Sequence, residues 1–329
     1  MNSFCLNGCL PLNNEQRGRL VTAAANAVSM PDYLWREEGE MPVLKWDQHF
    51  DEWLDHRIAL ADLYRDRGYS LLPWSVFDAL PDTAKHSQIF AWNQGTVPSC
   101  SMHGAAHAYQ TAMLTAIALG APLFYEAMNP IYSFYGARNG NLNGGLDLWT
   151  AADWINRNGM IPASIAGEDN QSVRQENLKF LDRGKKWQAG IVLIEDQFEE
   201  KIVRACRGLC SVSFGSGRLF MSSYTDRNGV KVMDGIRQGG HAQCLTGYRK
   251  IGNSDYLFNV NSYGNIYGVS DEGEPACGAW LGREQLRVYT EDMAVYGFPY
   301  LVFCEGEFRR EPSLTNEFEL PRFPKSFRM

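Results

Sequence analysis

Near residue 185 the texture of the chain changes, and that change most restricts the folds open to it. Before it, apolar residues recur at helical spacing. In DQHFDEWLDHRIALADLYRDR (47–67), Phe50, Trp53, Leu54, Ile58, Ala61 and Tyr64 share one face while acids and bases take the rest, the pattern of an amphipathic helix. NNEQRGRLVTAAANAV (13–28) opens on asparagine caps and predicts a helix ended by Pro31. Cys100 to Leu119 reads as a helix closed by Gly120 and Pro122, and LDLWTAADWINRNGMIP (146–162) as one that stops at Asn158-Gly159. After the change come short β-rich runs: GIVLI (190–194), SVSFG (211–215), RLFMSSY (218–224), VKVMD (230–234), HAQCLTGYRK (241–250) and YLFNVNSY (256–263). Asn228-Gly229 and GNSD (252–255) sit between neighbouring runs, where hairpin turns belong. A mainly helical half before a mainly β half predicts an α+β fold.

Four regions follow. Residues 1–72 form a helical N-terminal extension, 73–185 a helical lobe, 186–308 a β-rich lobe, and 309–329 a polar tail with three prolines. The amphipathic face of 47–67 needs a surface to dock on, which the following domain supplies. SLLPWSVFDALPD (70–82) reads as extended and 129–147 as turn-rich. No internal repeat is present.

Composition removes several functions. Hydrophobic residues make up 45% and charged residues 21%, with a net charge of −7. That balance suits a globular enzyme and gives no basic footprint for nucleic acid. LTAIALGAPLF (114–124) is too short to span a bilayer and is broken by Gly and Pro. The first residues, MNSFCLNGCLPLNNEQ, lack a basic stretch followed by an apolar one, so no secretory signal is expected and a cytoplasmic location is. Most of the eight cysteines are then expected to be reduced thiols. Cys5/Cys9 and Cys206/Cys210 lack the two-residue spacing of a zinc knuckle. His103 and His107, at i and i+4 on one helix, have no third ligand nearby in sequence and are read as packing or hydrogen-bonding residues. No metal or cofactor is called for.

Chemistry concentrates in NQGTVPSCSMHGAAHA (93–108). Pro98 before Cys100 and an apolar helical run after it place the sulfur at a helix N-terminus, where amide N–H groups favour thiolate. The residue itself is equally the type found in a buried helix. A nucleophilic reading needs a base. His103 and His107 point along the side of the helix, so His241 in QGGHAQCLTGYRK is preferred, projected from a strand start after two glycines. Asn261 follows twenty residues later. If GNSD turns a hairpin, His241 and Asn261 fall at the same end of adjacent strands. The amide oxygen then orients the imidazole while Tyr263 shields the bond from water. The Gln94 side-chain amide and the Cys100 backbone N–H supply two oxyanion donors.

At these residues the chain resembles the papain-like cysteine peptidases. The matches are NQG…SC (93–100), NGG (143–145), GHA (240–242) with GY (247–248), and NSYG (261–264), in the family's order and across roughly residues 72–305. The resemblance implies a two-lobed fold, with a helical left lobe and an antiparallel β-barrel-like right lobe. It implies Cys100 as nucleophile, His241 as general base and then acid, Asn261 as orienter and Gln94 as oxyanion donor. Gly144 and Gly145 become the ledge on which an extended peptide pairs its backbone, with Asp147, Gly240 and Ala242 lining the binding site. The family's disulfide beside the nucleophile is replaced by Val97 and Leu142, which fits a reducing compartment. Pro98, Ser101 and Gly240 also depart from the family pattern, and residues 1–72 do not show its usual propeptide.

Two readings of function stay open. One is a thiol endopeptidase acting on a peptide or protein substrate. The other is a papain-fold structural protein, for example in a virus particle, that assembles through residues 1–72 and the tail. Acyl transfer of the transglutaminase kind typically orients histidine with Asp, and Asn261 counts against it.

Overall fold

The structure is a computed structural model describing residues 9–27, 41, 43–80, 92–121, 123–141, 143–167, 184–264, 274–275 and 277–304. Pro31, Pro122, Leu142, Cys5 and the tail lie outside the described residues. In chain order the elements are α1 (Asn14–Asn26), β1 (Val43–Lys45), α2 (Gln48–Asp66), α3 (Pro73–Asp78), α4 (Cys100–Ala118), α5 (Pro130–Ala137), α6 (Leu148–Arg157) and α7 (Ala163–Ala166). There follow β2 (Gly190–Leu193), α8 (Phe198–Arg207), β3 (Val212–Thr225), β4 (Lys231–Ile251), β5 (Ser254–Val260), β6 (Gly278–Gly282), α9 (Arg283–Thr290), α10 (Met293–Tyr296) and β7 (Tyr300–Phe303).

Among the described residues the strands form one seven-stranded sheet in the order β1-β2-β7-β3-β4-β5-β6. β1 runs parallel to β2, and the neighbours from β2 to β6 are antiparallel. At the far end Val232 of β4 also pairs with Trp280 of β6, which curls that edge back on itself. This is the expected α+β organisation of helices first and antiparallel sheet after. Two runs read as separate strands, SVSFG and RLFMSSY, are one strand, β3, with an irregularity between Ser216 and Arg218. VKVMD and HAQCLTGYRK are likewise one strand, β4.

Alternate residues along the strands enter different cores, as the pleat requires. On β2 and β7, Ile191, Leu193, Tyr300 and Val302 pack with the helical side, and Val192, Leu301 and Phe303 with the other. On that second face sit α8, α9 and the Phe50, Trp53 and Leu54 end of α2. So the 47–67 face does dock, mainly on the sheet and α8. Arg204 of α8 holds Asp51 and Asp55 of α2, and Arg207 holds Asp62.

α4 is the centre of the first face. All nineteen of its residues are buried, which its Ala-rich, uncharged sequence permits. Gly104 lets it approach the sheet, because a Cβ there would lie 3.0 Å from both the Gln243 carbonyl oxygen and Ser213 Oγ. Two segments read as irregular are helical instead. Both begin with proline at the first helical position (Pro73 in α3, Pro130 in α5), where its fixed φ and missing N–H are tolerated.

α1 is tied down at its start by a reciprocal capping box between Asn13 and Gln16. Asn13→Ala removes it and is expected to cost about 1 kcal/mol. Faster amide hydrogen exchange through α1, with the sheet unchanged, is the readout.

Candidate active site

Three segments converge at the N-terminus of α4. The first is the approach to the helix. Residues 92–94 run antiparallel to 262–264: the Gln94 N–H donates to the Ser262 carbonyl at 2.8 Å, the Gly264 N–H to that of Trp92 at 2.9 Å, and Asn93 bridges Tyr263. The second is β4, where His241 stands opposite Ser216 of β3. The third is the chain just past β5, which carries Asn261. The hairpin expected at GNSD is real, with Ile251 paired to Ser254 and Cys244 to Val260. It brings His241 and Asn261 to the same end. His241 lies inside the long β4, however, and not at a strand start: β4 runs on through the two glycines before it, which fall at the irregularity where pairing passes from Ser216 to Arg218.

The imidazole is held on two sides. Its Nε2–H donates to Asn261 Oδ1 at 2.8 Å. That oxygen is identified as the acceptor by a second donor, the Ser262 N–H at 2.7 Å. The proton is therefore on Nε2, which leaves the lone pair on Nδ1. Tyr263 lies flat against the ring, 4.7 Å away and inclined by 11°, with its hydroxyl 3.2 Å from Nδ1. Since Nδ1 carries no proton, the Tyr263 hydroxyl is the donor and Nδ1 accepts from it.

Gln94 is buried and its amide is oriented by two partners. Nε2 donates to the Val97 carbonyl at 3.0 Å, and Oε1 accepts from the Ser262 hydroxyl. One Nε2 hydrogen remains for a further acceptor. Cys100 is the first residue of α4, with Ser99 at the cap. His103 and His107 are on the face of α4 turned toward this site. His103 Nδ1 donates to the Ser99 carbonyl at 3.0 Å, and Trp92 stacks on His107 at 4.6 Å. Among the described residues no three His, Cys, Asp or Glu side chains gather as a metal site.

All of this is closed to solvent. Gln94, Cys100 and His241 have no exposed surface. Against this site lies the chain's own segment leading into α1, with Cys9 near Cys100. Cys9 bridges Leu146 in parallel register, its N–H donates to the Gly240 carbonyl at 3.3 Å, and the Leu10 N–H donates to that of Leu146 at 3.4 Å. Leu12 donates to Val295 at 3.1 Å. Gly215 and Gly240 make the seat: a Cβ on Gly215 would lie 2.8 Å from Cys9 Sγ, and one on Gly240 would lie 2.3 Å from the Cys9 carbonyl oxygen. Burial, and then the neighbouring Cys100, push the Cys9 thiol well above its ordinary pKa.

The remaining expected residues differ in their surroundings. Gly145 and Ala242 are buried and Gly144, with φ +80°, is exposed. The Leu146 carbonyl after the glycines also accepts from Ser101 Oγ at 2.7 Å. Asp147 has another occupation. It caps α6 through the Thr150 N–H and hydroxyl and accepts from Gln16 Nε2 at 2.7 Å. Sequence reasoning assigned no role at the site to Cys9, Gly215, Ser101 or Ser262, although Ser101 and Ser262 lie in its quoted motifs. Only the apolar CLPL before the Asn13 cap carried a signal, since such a run has to pack somewhere.

The closed state fixes the protonation. Burial pushes the His241 pKa down to about 4 against the opposing Asn261 hydrogen bond, so the ring is neutral. The buried site therefore holds the imidazole in its uncharged form.

No family model matches the chain, and no curated protein matches it in sequence. Among solved structures it is similar to proCathepsin B S9 from Trypanosoma congolense, at 10% identity over 89% of this chain and 99% of that one, with a TM-score of 0.48. It is also similar to a digestive procathepsin L 3 of Tenebrio molitor larval midgut, at 14% identity over 68% and 73% of the two chains (TM-score 0.44). A third is xylellain, a cysteine protease from Xylella fastidiosa, at 13% identity over 68% and 84% (TM-score 0.43).

Proposed function

We propose that the chain is a papain-like cysteine peptidase held in a covered state by residues 9–12. The observation that carries this reading is the Nε2–H donated by His241 to Asn261. It leaves Nδ1 unprotonated, on a strand that packs against the helix beginning at Cys100. When the cover leaves, water returns, the imidazole regains basicity, and Nδ1 takes the Cys100 proton. The thiolate adds to a peptide carbonyl, and the oxyanion is met by the free Gln94 Nε2 hydrogen and the Cys100 N–H. The imidazolium then protonates the leaving amine as the C–N bond breaks. Water, deprotonated by Nδ1, finally hydrolyses the thioester and restores the thiol. The substrate is an extended peptide along the 144–146 edge, where the Cys9–Leu10 backbone now lies.

Alkylation tests the assignment. In the full chain with the cover unseated, iodoacetamide is expected to modify Cys100 ahead of the other cysteines at pH 7. His241→Ala should slow that reaction about tenfold, since an unassisted thiol is mostly protonated at this pH. Equal labelling of Cys100 and the other cysteines sinks the reading.

One observation favours the assembly alternative. The extension is built into the fold, giving β1 to the sheet and Phe50, Trp53 and Leu54 to the core. A papain-fold assembly protein would keep such an extension permanently. Cys100→Ala leaving every function of the protein intact would favour it.

A further inference from the structure

We propose that Ser262 is a positioning residue that sets the oxyanion side and the imidazole side of the site together; this rests on the peptidase reading above. Ser262 is fully buried; its hydroxyl and N–H serve the two functional side-chain amides, and its carbonyl holds the Gln94 backbone. Its hydroxyl donates to Gln94 Oε1, its carbonyl accepts the Gln94 N–H at 2.8 Å, and its N–H donates to Asn261 Oδ1 at 2.7 Å.

The consequence follows from donor and acceptor counts. An amide side chain can turn over, exchanging its oxygen for its NH2, and only its partners decide which way it lies. For Gln94, the Val97 carbonyl can only accept, so it selects the NH2 end. The Ser262 hydroxyl then satisfies the oxygen on the other side. Without it a buried carbonyl oxygen is orphaned, and the amide drifts toward other donors. For Asn261, the Ser262 N–H pins Oδ1 so that it faces the imidazole. Asn93–Tyr263 pairing and the Gly264-to-Trp92 bond anchor the chain just after Ser262, so the two amides share one support. Removing the hydroxyl alone loosens the Gln94 end and leaves the backbone hold on Asn261 in place. Oxyanion stabilisation is then lost selectively.

The test compares Ser262→Ala with its parent in the full chain carrying Cys9→Trp to unseat the cover. On a fluorogenic peptide, kcat is expected to fall about tenfold with KM nearly unchanged, less than the loss seen when an oxyanion donor is deleted outright. Iodoacetamide alkylation of Cys100, which forms no oxyanion, should keep the parent rate and pH profile. Ser262→Ala added to Gln94→Ala should cost little more than Gln94→Ala alone, because both remove one function. Ser262→Cys keeps a weak donor in nearly the same volume; it should fall between serine and alanine and serves if the alanine variant fails to fold. Unchanged kcat in the alanine variant overturns the proposal, as do losses that multiply with Gln94→Ala, or alkylation falling in step with kcat. No hydrolysis by the parent, which retains Ser262, overturns the peptidase reading and this proposal with it. Hydrolysis that is indifferent to Ser262 overturns this one only.

Discussion

Cys9→Trp in the full chain is expected to raise the rate at which iodoacetamide reaches Cys100 by about 100-fold, equivalent to about 2.7 kcal/mol of closing free energy. The backbone bonds that hold the cover are long, at 3.1–3.4 Å, and contribute little. Most of the grip comes from fit and burial. Cys9 and Leu12 are almost fully buried, and a buried leucine stabilises by about 1.5–3 kcal/mol. The seat is made of two Cβ-free positions, Gly215 and Gly240, closed by Tyr296. An indole does not enter it, and overpacking of that size removes about as much as the seat supplies. Leu12→Asp opens the cover from outside the seat and should act in the same direction. If both variants keep Cys100 as protected as the parent, with unchanged melting, then residues 9–12 are not what closes the site.

How much of this was legible beforehand follows the range of each interaction. The helix at Cys100 is a local pattern of small apolar residues after a proline, and it is where expected. The meeting of His241 with Asn261 depended on one tight turn at GNSD, so a local signal fixed a pairing across twenty residues. Prolines misled twice. At Pro73 and Pro130 they open helices instead of breaking structure, which only the sequence after each proline decides. Phe198–Arg207 and Arg283–Thr290 are short charged helices hidden among strand signals, stabilised by packing on the sheet rather than by propensity. β1 has three residues, too few for a period. His103 and His107 were read as turned away from the helix tip. Gly104 between them lies against β4, so that face of α4 points at the strand that carries His241. The cover was beyond reach, because what seats Cys9 is the absence of side chains at two distant positions.

Acid is expected to destabilise the closed protein steeply between pH 6.5 and about 4. His103, His107 and His241 are all buried, and burial pushes each imidazole down: His103 and His241 to about 4, and His107 well below 6.5. In the unfolded chain all three titrate near 6.5. Through that window the unfolded state binds protons that the folded state refuses, so stability is complete above pH 6.5 and is lost as pH falls. Three protons give a slope of about 4 kcal/mol per pH unit at its steepest, comparable with the whole stability of an ordinary domain within two units. Asp62 acts lower. Burial would raise its pKa, but Arg207 and Arg65 outweigh that and hold it down. Its contribution is lost as pH falls from its unfolded value through its lowered folded one, below the histidine window. Chemical unfolding measured from pH 7.5 to 5 reads the slope, and a flat profile refutes the account. The cover enters the same measurement. By reciprocity, whatever it does to dry and depress His241, protonating His241 does in equal measure to loosen the cover. In Cys9→Trp the ring is wet, its pKa returns toward 6.5, and about one third of the slope disappears. A full slope in that variant would mean that the β4 surroundings alone, and not residues 9–12, keep the imidazole neutral.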